Sequence, residues 1–167
     1  MSCASEQCEG ILTAESCPEC GAVVTEGREG CQALYDAFAF QAMADFRVAA
    51  VHALAFDTYC MQHVETYCVS AKSYAAHLTR LCVGVEYGGD PALYAALQRW
   101  YHAGLVKPAI LYERGQITIA EIQAIADVPA KVTRIREWAE HVWDVYNSQH
   151  ALARQWVEAA LSTKGRR

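Results

Sequence analysis

The stretch from Phe46 to His63, "FRVAAVHALAFDTYCMQH", is apolar nearly all the way round a helical wheel. A helix with no polar face cannot lie on a surface, so it must be enclosed by other helices. The chain has 167 residues, 53% of them apolar and 20% charged, which is enough for one domain with a substantial core. The flanking segments supply the enclosing helices. "CQALYDAFAFQAMA" spaces Leu34, Phe38 and Ala42 four apart, and Asp45 can cap the central helix. Ser70 can cap a third helix, "AKSYAAHLTRLCVGVE", that ends at Gly88-Gly89, and Asp90-Pro91 opens a fourth. Residues 105–117 read as a loop. Thr118 and Glu121 form a capping box for a short helix. From Pro129 to about Ser162 the stripe Val132, Ile135, Ala139, Val142, Tyr146, Gln149, Leu152, Trp156, Ala160 predicts one long helix. Trp138, Trp143 and Trp156 on this helix read as core residues. No segment reads as a strand. The expectation is an all-α helical bundle of five to six helices over residues 30–163, with a cysteine-rich flap at 1–29 and a basic tail at 164–167.

The flap holds Cys3, Cys8, Cys17 and Cys20 and has few large apolar residues, so something other than a core must order it. Cys17-Pro-Glu-Cys20-Gly is a C-x2-C turn whose two thiolates can point at one ion, a spacing that suits zinc. Its other readings are a redox pair, which normally sits in a βαβ setting absent here, or two unliganded thiols. Cys31 is the natural third ligand, and Cys3 and Cys8 are further candidates. At ~1.5 Å per residue the central helix returns to the level of Cys31 around Tyr59 to His63. The third helix starts at the same end with His77, so His63 and His77 are both candidates for the fourth ligand. Cys60, Cys68 and Cys82 lie in apolar helical surroundings and read as small buried hydrophobes.

The central helix also carries His52, about three turns from His63, and Asp57, about 140° round the helix from His52. These are not a one-face motif of the H-E-x-x-H kind. A buried carboxylate needs a partner, which for Asp57 can be a tyrosine, a histidine or an arginine such as Arg80. Its functional alternative is to orient a metal-bound histidine or to move a proton. His52, Asp57 and His150 are therefore the candidate catalytic residues of a polar pocket between helices.

The succession "CPECGA", Cys31, "HALAFDTYCMQH", "AAHLTRLCVGVE", "ITIAEI" and "WAEHVWDVYNSQH" resembles a group of small bacterial proteins known only as a domain of unknown function. The resemblance runs from Cys17 to Trp156. It marks Cys17, Cys20, Cys31, His52, Asp57, Tyr59, Gln62, His63, His77 and His150 as the family's polar positions, and it implies a shared fold unit and a metal site but no reaction. This chain departs in having Val64 where proline is frequent. It also has a short "GAVVTEGREG" span where many members carry another histidine, and Cys3 and Cys8 are extra.

The net charge of −5 argues against a nucleic-acid surface, and no apolar run reaches the ~18 residues a membrane span needs. "MSCASEQCEG" has no secretory character, which points to the cytoplasm, where eight cysteines suit metal ligation, redox chemistry or burial better than a disulfide framework. Two functions fit these features. One is a zinc-dependent enzyme with a His/Asp pocket acting on a small molecule. The other is a zinc-stabilised interaction or redox-responsive module with a protein partner, or with a second copy met through the C-terminal helix.

Overall fold

A computed structural model describes residues 14–102 and 104–162; Cys3, Cys8 and the basic tail lie outside them. The architecture is the expected helical bundle with a cysteine-bearing flap. The flap, however, contains strands: β1 (Ala14–Ser16) and β2 (Val23–Thr25) pair antiparallel, Ala14 opposite Thr25. The missed signal is the β-branched run Val23-Val24-Thr25. At three residues it is too short for a period to register.

Among the described residues eight helices follow: α1 (Gly27–Ala42), α2 (Phe46–Gln62), α3 (Val64–Tyr67), α4 (Ala71–Glu86), α5 (Pro91–Trp100), α6 (Ile119–Ala124), α7 (Val128–Val145) and α8 (His150–Ser162). The local start signals work as the sequence implies. Asp45 accepts from the Arg47 amide at 2.9 Å, and Asp90 accepts from the Ala92 amide at 2.8 Å ahead of Pro91. Ser70 with Ser73, and Thr118 with Glu121, close capping boxes.

The long C-terminal helix is broken, which corrects the single helix expected from Pro129 onward. Tyr146 leaves the helical region and a 3₁₀ turn (Asn147–Gln149) intervenes before α8. A straight helix of that length would run ~50 Å, about twice the length of α2, and would strand half of its apolar stripe in water. The break lets α7 pack on α2 and α4, and α8 on α4 and α5. Three contacts hold the corner, two of them fully buried. The Tyr146 hydroxyl donates to the Met61 carbonyl (2.7 Å), and the Tyr74 hydroxyl donates to Gln149 (2.6 Å). The His150 ring bonds the Trp143 carbonyl (2.8 Å), capping the end of α7. Trp138, Trp143 and Trp156 are all buried.

As its composition requires, α2 is the bundle's centre, packed against α1, α4 and α7. Its last residue, Gln62, is fully buried and joins three segments. Its amide nitrogen donates to the carbonyls of Arg114 (2.7 Å) and Ile117 (2.8 Å), and its oxygen accepts from the Trp138 indole (3.0 Å). The irregular segment between α5 and α6 is thereby tied to the core. Gln62→Ala strands an indole N–H and two carbonyls; we expect it to lower the unfolding free energy by about 3 kcal/mol in a denaturant titration. A loss under about 0.5 kcal/mol, the range of an ordinary surface change, would refute this role.

Candidate metal centre

The hairpin turn places the first two cysteines. The Cys17 amide donates to the Ala22 carbonyl (2.8 Å) and the Gly21 amide to the Cys17 carbonyl (2.9 Å), so the turn curls back on itself. Gly21 takes a φ of +77°, a conformation that costs glycine little. The chain then enters α1, where Gly30 lies so close to β2 that a Cβ there would sit 1.7 Å from the Thr25 carbonyl oxygen. That close approach brings Cys31, in the first turns of α1, beside Cys20. From the other side α2 ends at His63, which turns the chain into α3.

The Sγ atoms of Cys17, Cys20 and Cys31 and a ring nitrogen of His63 lie within 4.8 Å of one another, all four residues buried. Cys20 Sγ is 3.6 Å from Cys31 Sγ, far beyond the ~2.05 Å of a disulfide, and the cysteines are free. His63 Nε2 is 3.5 Å from Cys17 Sγ and 3.4 Å from Cys31 Sγ. For a tetrahedral ion at ~2.3 Å from sulfur and ~2.0 Å from nitrogen, the ligand atoms would be separated by ~3.8 Å (sulfur–sulfur) and ~3.5 Å (sulfur–nitrogen). The separations observed therefore fit one metal ion held by all four groups. The other His63 nitrogen, Nδ1, donates to the Tyr59 carbonyl at 2.7 Å, which fixes the tautomer and turns the Nε2 lone pair toward the sulfurs. The Tyr59 hydroxyl donates to Cys31 Sγ (3.7 Å), and its ring stacks on His63.

The cluster's electrostatics match this chemistry. The hydrogen bond with Cys20, aided by His63 and Tyr59 and opposed by burial, holds the Cys31 thiol well below its ordinary value. The same bond, with burial adding to it, pushes Cys20 far up. The two sulfurs thus share a proton in a place where a cation can take over its role. Burial pushes Cys68 and Cys82 up to about 12 and raises Cys60 as well, as expected of inert core thiols.

Glu19, between the two cysteines of the turn, is a participant the sequence reading missed. Its carboxylate is buried and accepts from the Glu65 amide (3.0 Å), the Thr66 amide (3.4 Å) and the Thr66 hydroxyl (2.5 Å), and it pairs with Arg28. Burial alone would raise its pKa, but the Thr66 and Glu65 hydrogen bonds, then the charges of His63 and Arg28, outweigh it and the net shift is downward. The turn is thereby fastened to the segment that follows His63. An acidic residue inside a tight cysteine turn was the one available signal. Val64 is the first residue of α3, a position that proline would tolerate well.

The remaining candidates sit elsewhere. His77, proposed as a metal ligand, is not in the cluster: its Nδ1 is 2.9 Å from Asp57 Oδ1. Asp57 is fully buried, and Arg80 Nε donates to both its oxygens (3.2 and 2.9 Å) while the Arg80 guanidinium lies over the Tyr94 ring. The helix arithmetic put His77 at the right end of the bundle but could not see that Asp57 would claim it. His52, Asp57 and His150 each pack against different partners. His52 packs against Tyr35 and Phe38, with its Nε2 buried and without a protein partner among the described residues. His150 stacks on Trp143 at 3.9 Å. Each keeps its own neighbours.

The chain belongs to a family of unknown function (DUF5946), whose sequence profile matches residues 15–147 and so spans all four cluster residues. No curated protein and no solved structure matches it.

Because the Asp57 network and the cluster are separate, their variants should be separable. Asp57→Ala leaves Arg80 and His77 to turn toward water. It should cost about 3 kcal/mol of stability while leaving the His63 ring resonances in place in an NMR spectrum. A large shift of the His63 signals would show that the two are one site.

Proposed function

We propose that this family member is a zinc-stabilised helical interaction module, in which Cys17, Cys20, Cys31 and His63 hold a structural Zn²⁺. The observation that carries the reading is the set of four donor atoms within 4.8 Å of one another at tetrahedral spacings. Four protein ligands complete a zinc coordination sphere and leave no open position for water or substrate, which is the mark of a structural rather than a catalytic site. The thiolate-rich donor set favours zinc over magnesium or calcium, which take oxygen ligands. Bound there, the ion would supply folding energy to a hairpin with little core of its own.

The alternative, an enzyme with a pocket lined by His52, Asp57 and His150, has less support. Asp57 is engaged by Arg80 and His77, and His150 by the Trp143 carbonyl. A reducing, cytoplasmic setting fits the free cysteines. Among the described residues, no helix is long and apolar enough to cross a membrane.

Elemental analysis of the purified protein tests the proposal. We expect about one zinc per chain, lost in Cys17→Ser and His63→Ala and retained in His77→Ala. Acidification should release the metal, because protons compete for the thiolates and the imidazole. Wild-type protein carrying less than ~0.2 metal per chain, or a His63→Ala variant with full content, would overturn the assignment.

A further inference from the structure

A second feature lies well away from the cysteine cluster. Between the N-terminal half of α2, the end of α4 and the flank of α7 is a half-open cleft with a volume of about 350 Å³. Leu54 in this cleft precedes His63 by nine residues, so the cleft sits roughly 13 Å along the axis of α2 from the metal centre.

Its floor is apolar, made by Val51, Leu54 and Val85. Gly84 keeps that floor tight: a Cβ there would come 2.5 Å from the Leu54 methyl. One wall is the turn after α4, Gly88-Gly89, where both residues have positive φ and a Cβ on Gly88 would meet nothing within 4 Å. Bare backbone therefore leaves the space open, and the backbone conformation disfavours any side chain that would close it.

Three polar side chains line the same cleft: Arg136 and Glu140, both exposed and one turn apart on α7, and the half-buried Tyr94 from α5. Among the described residues, the Arg136 guanidinium, the Glu140 carboxylate and the Tyr94 hydroxyl make no hydrogen bond or ion pair with the protein. The Tyr94 hydroxyl lies close to the glycines, 3.7 Å from a Cβ built on Gly89. A cation, an anion and a neutral hydroxyl, all unpaired, stand over an apolar floor in a cleft of small-ligand size.

We propose that this cleft binds a free amino acid with a branched apolar side chain. Arg136 takes the α-carboxylate, Glu140 the α-ammonium, and Val51, Leu54 and Val85 the side chain. A cleft carrying both charges suits a zwitterion better than a singly charged ligand: a simple anion would meet Glu140, and a simple cation Arg136. Apart from Arg136, Glu140 and Tyr94, every lining residue is apolar or glycine, which favours an apolar side chain. The proposal is independent of the zinc assignment, since none of these residues touches the cluster.

The test is a titration of the full chain with L-leucine, followed by the backbone amide signals of Gly88 and Gly89. We expect saturable shifts with a dissociation constant below about 10 mM. Leucinamide, which lacks the carboxylate, and 4-methylpentanoate, which lacks the ammonium, should each bind at least about tenfold more weakly. Arg136→Ala and Glu140→Ala should each weaken leucine binding by a similar factor. Ala53→Leu, at an exposed α2 position on the cleft, should abolish it with the circular dichroism spectrum unchanged. Three results would overturn the proposal: no saturable shift, equal binding of 4-methylpentanoate or leucinamide, or undiminished binding in the charge variants.

Discussion

Three sulfurs and an imidazole nitrogen, buried and within 4.8 Å of one another, are a configuration that protein contacts alone hold poorly. Thiolates at such range repel and thiols gain little from one another, whereas a shared cation could satisfy all four donors. Much of the chain's organisation serves that point. The hairpin exists to curl Cys17 and Cys20 inward. Gly30 brings α1 hard against β2 so that Cys31 arrives beside them. The end of α2 is set where His63 can face all three, with Tyr59 holding the ring by a backbone carbonyl at one nitrogen and stacking on it from one side. Glu19 then ties the turn to the chain beyond His63.

The helices are secured differently, by buried polar side chains that each serve several partners. Gln62 anchors an otherwise irregular segment, and Asp57 gathers His77 and Arg80 between α2 and α4. Such groups add little net stability when satisfied and cost much when one partner is removed. They therefore act as specificity devices: a bundle slipped by one helical turn would leave a carboxylate or an amide stranded in the core. Of the two α2 residues that suggest catalysis in sequence, Asp57 is engaged in this way.

What the sequence made legible follows from the range over which each signal acts. The caps at Asp45, Ser70, Asp90 and Thr118 depend on two or three neighbouring residues, and each reads directly. The meeting of Cys31 with His63 followed from helix rise alone, because two antiparallel helices of similar length must realign at one end. His63 and His77 could not be separated in that way, since the deciding partner, Asp57, acts through side-chain direction across two helices. The break at Tyr146 was hidden for a related reason. The stripe of buried residues runs unbroken from Ile135 to Ala160, but its two halves face different helices, and the corner is made by Met61, Tyr74 and Trp143, all distant in sequence or in contact only once folded. The hairpin strands were too short to show a period, and the partners of Glu19, the Glu65 and Thr66 groups, lie more than forty residues away in sequence.

The central claim is that one ion is held by three sulfurs and one nitrogen in a closed tetrahedral site. X-ray absorption at the metal edge of the purified protein addresses it most directly. The account predicts zinc with three sulfur neighbours at ~2.3 Å and a single nitrogen neighbour at ~2.0 Å. A sphere with an oxygen neighbour from water, or with two sulfurs and two nitrogens, would contradict it.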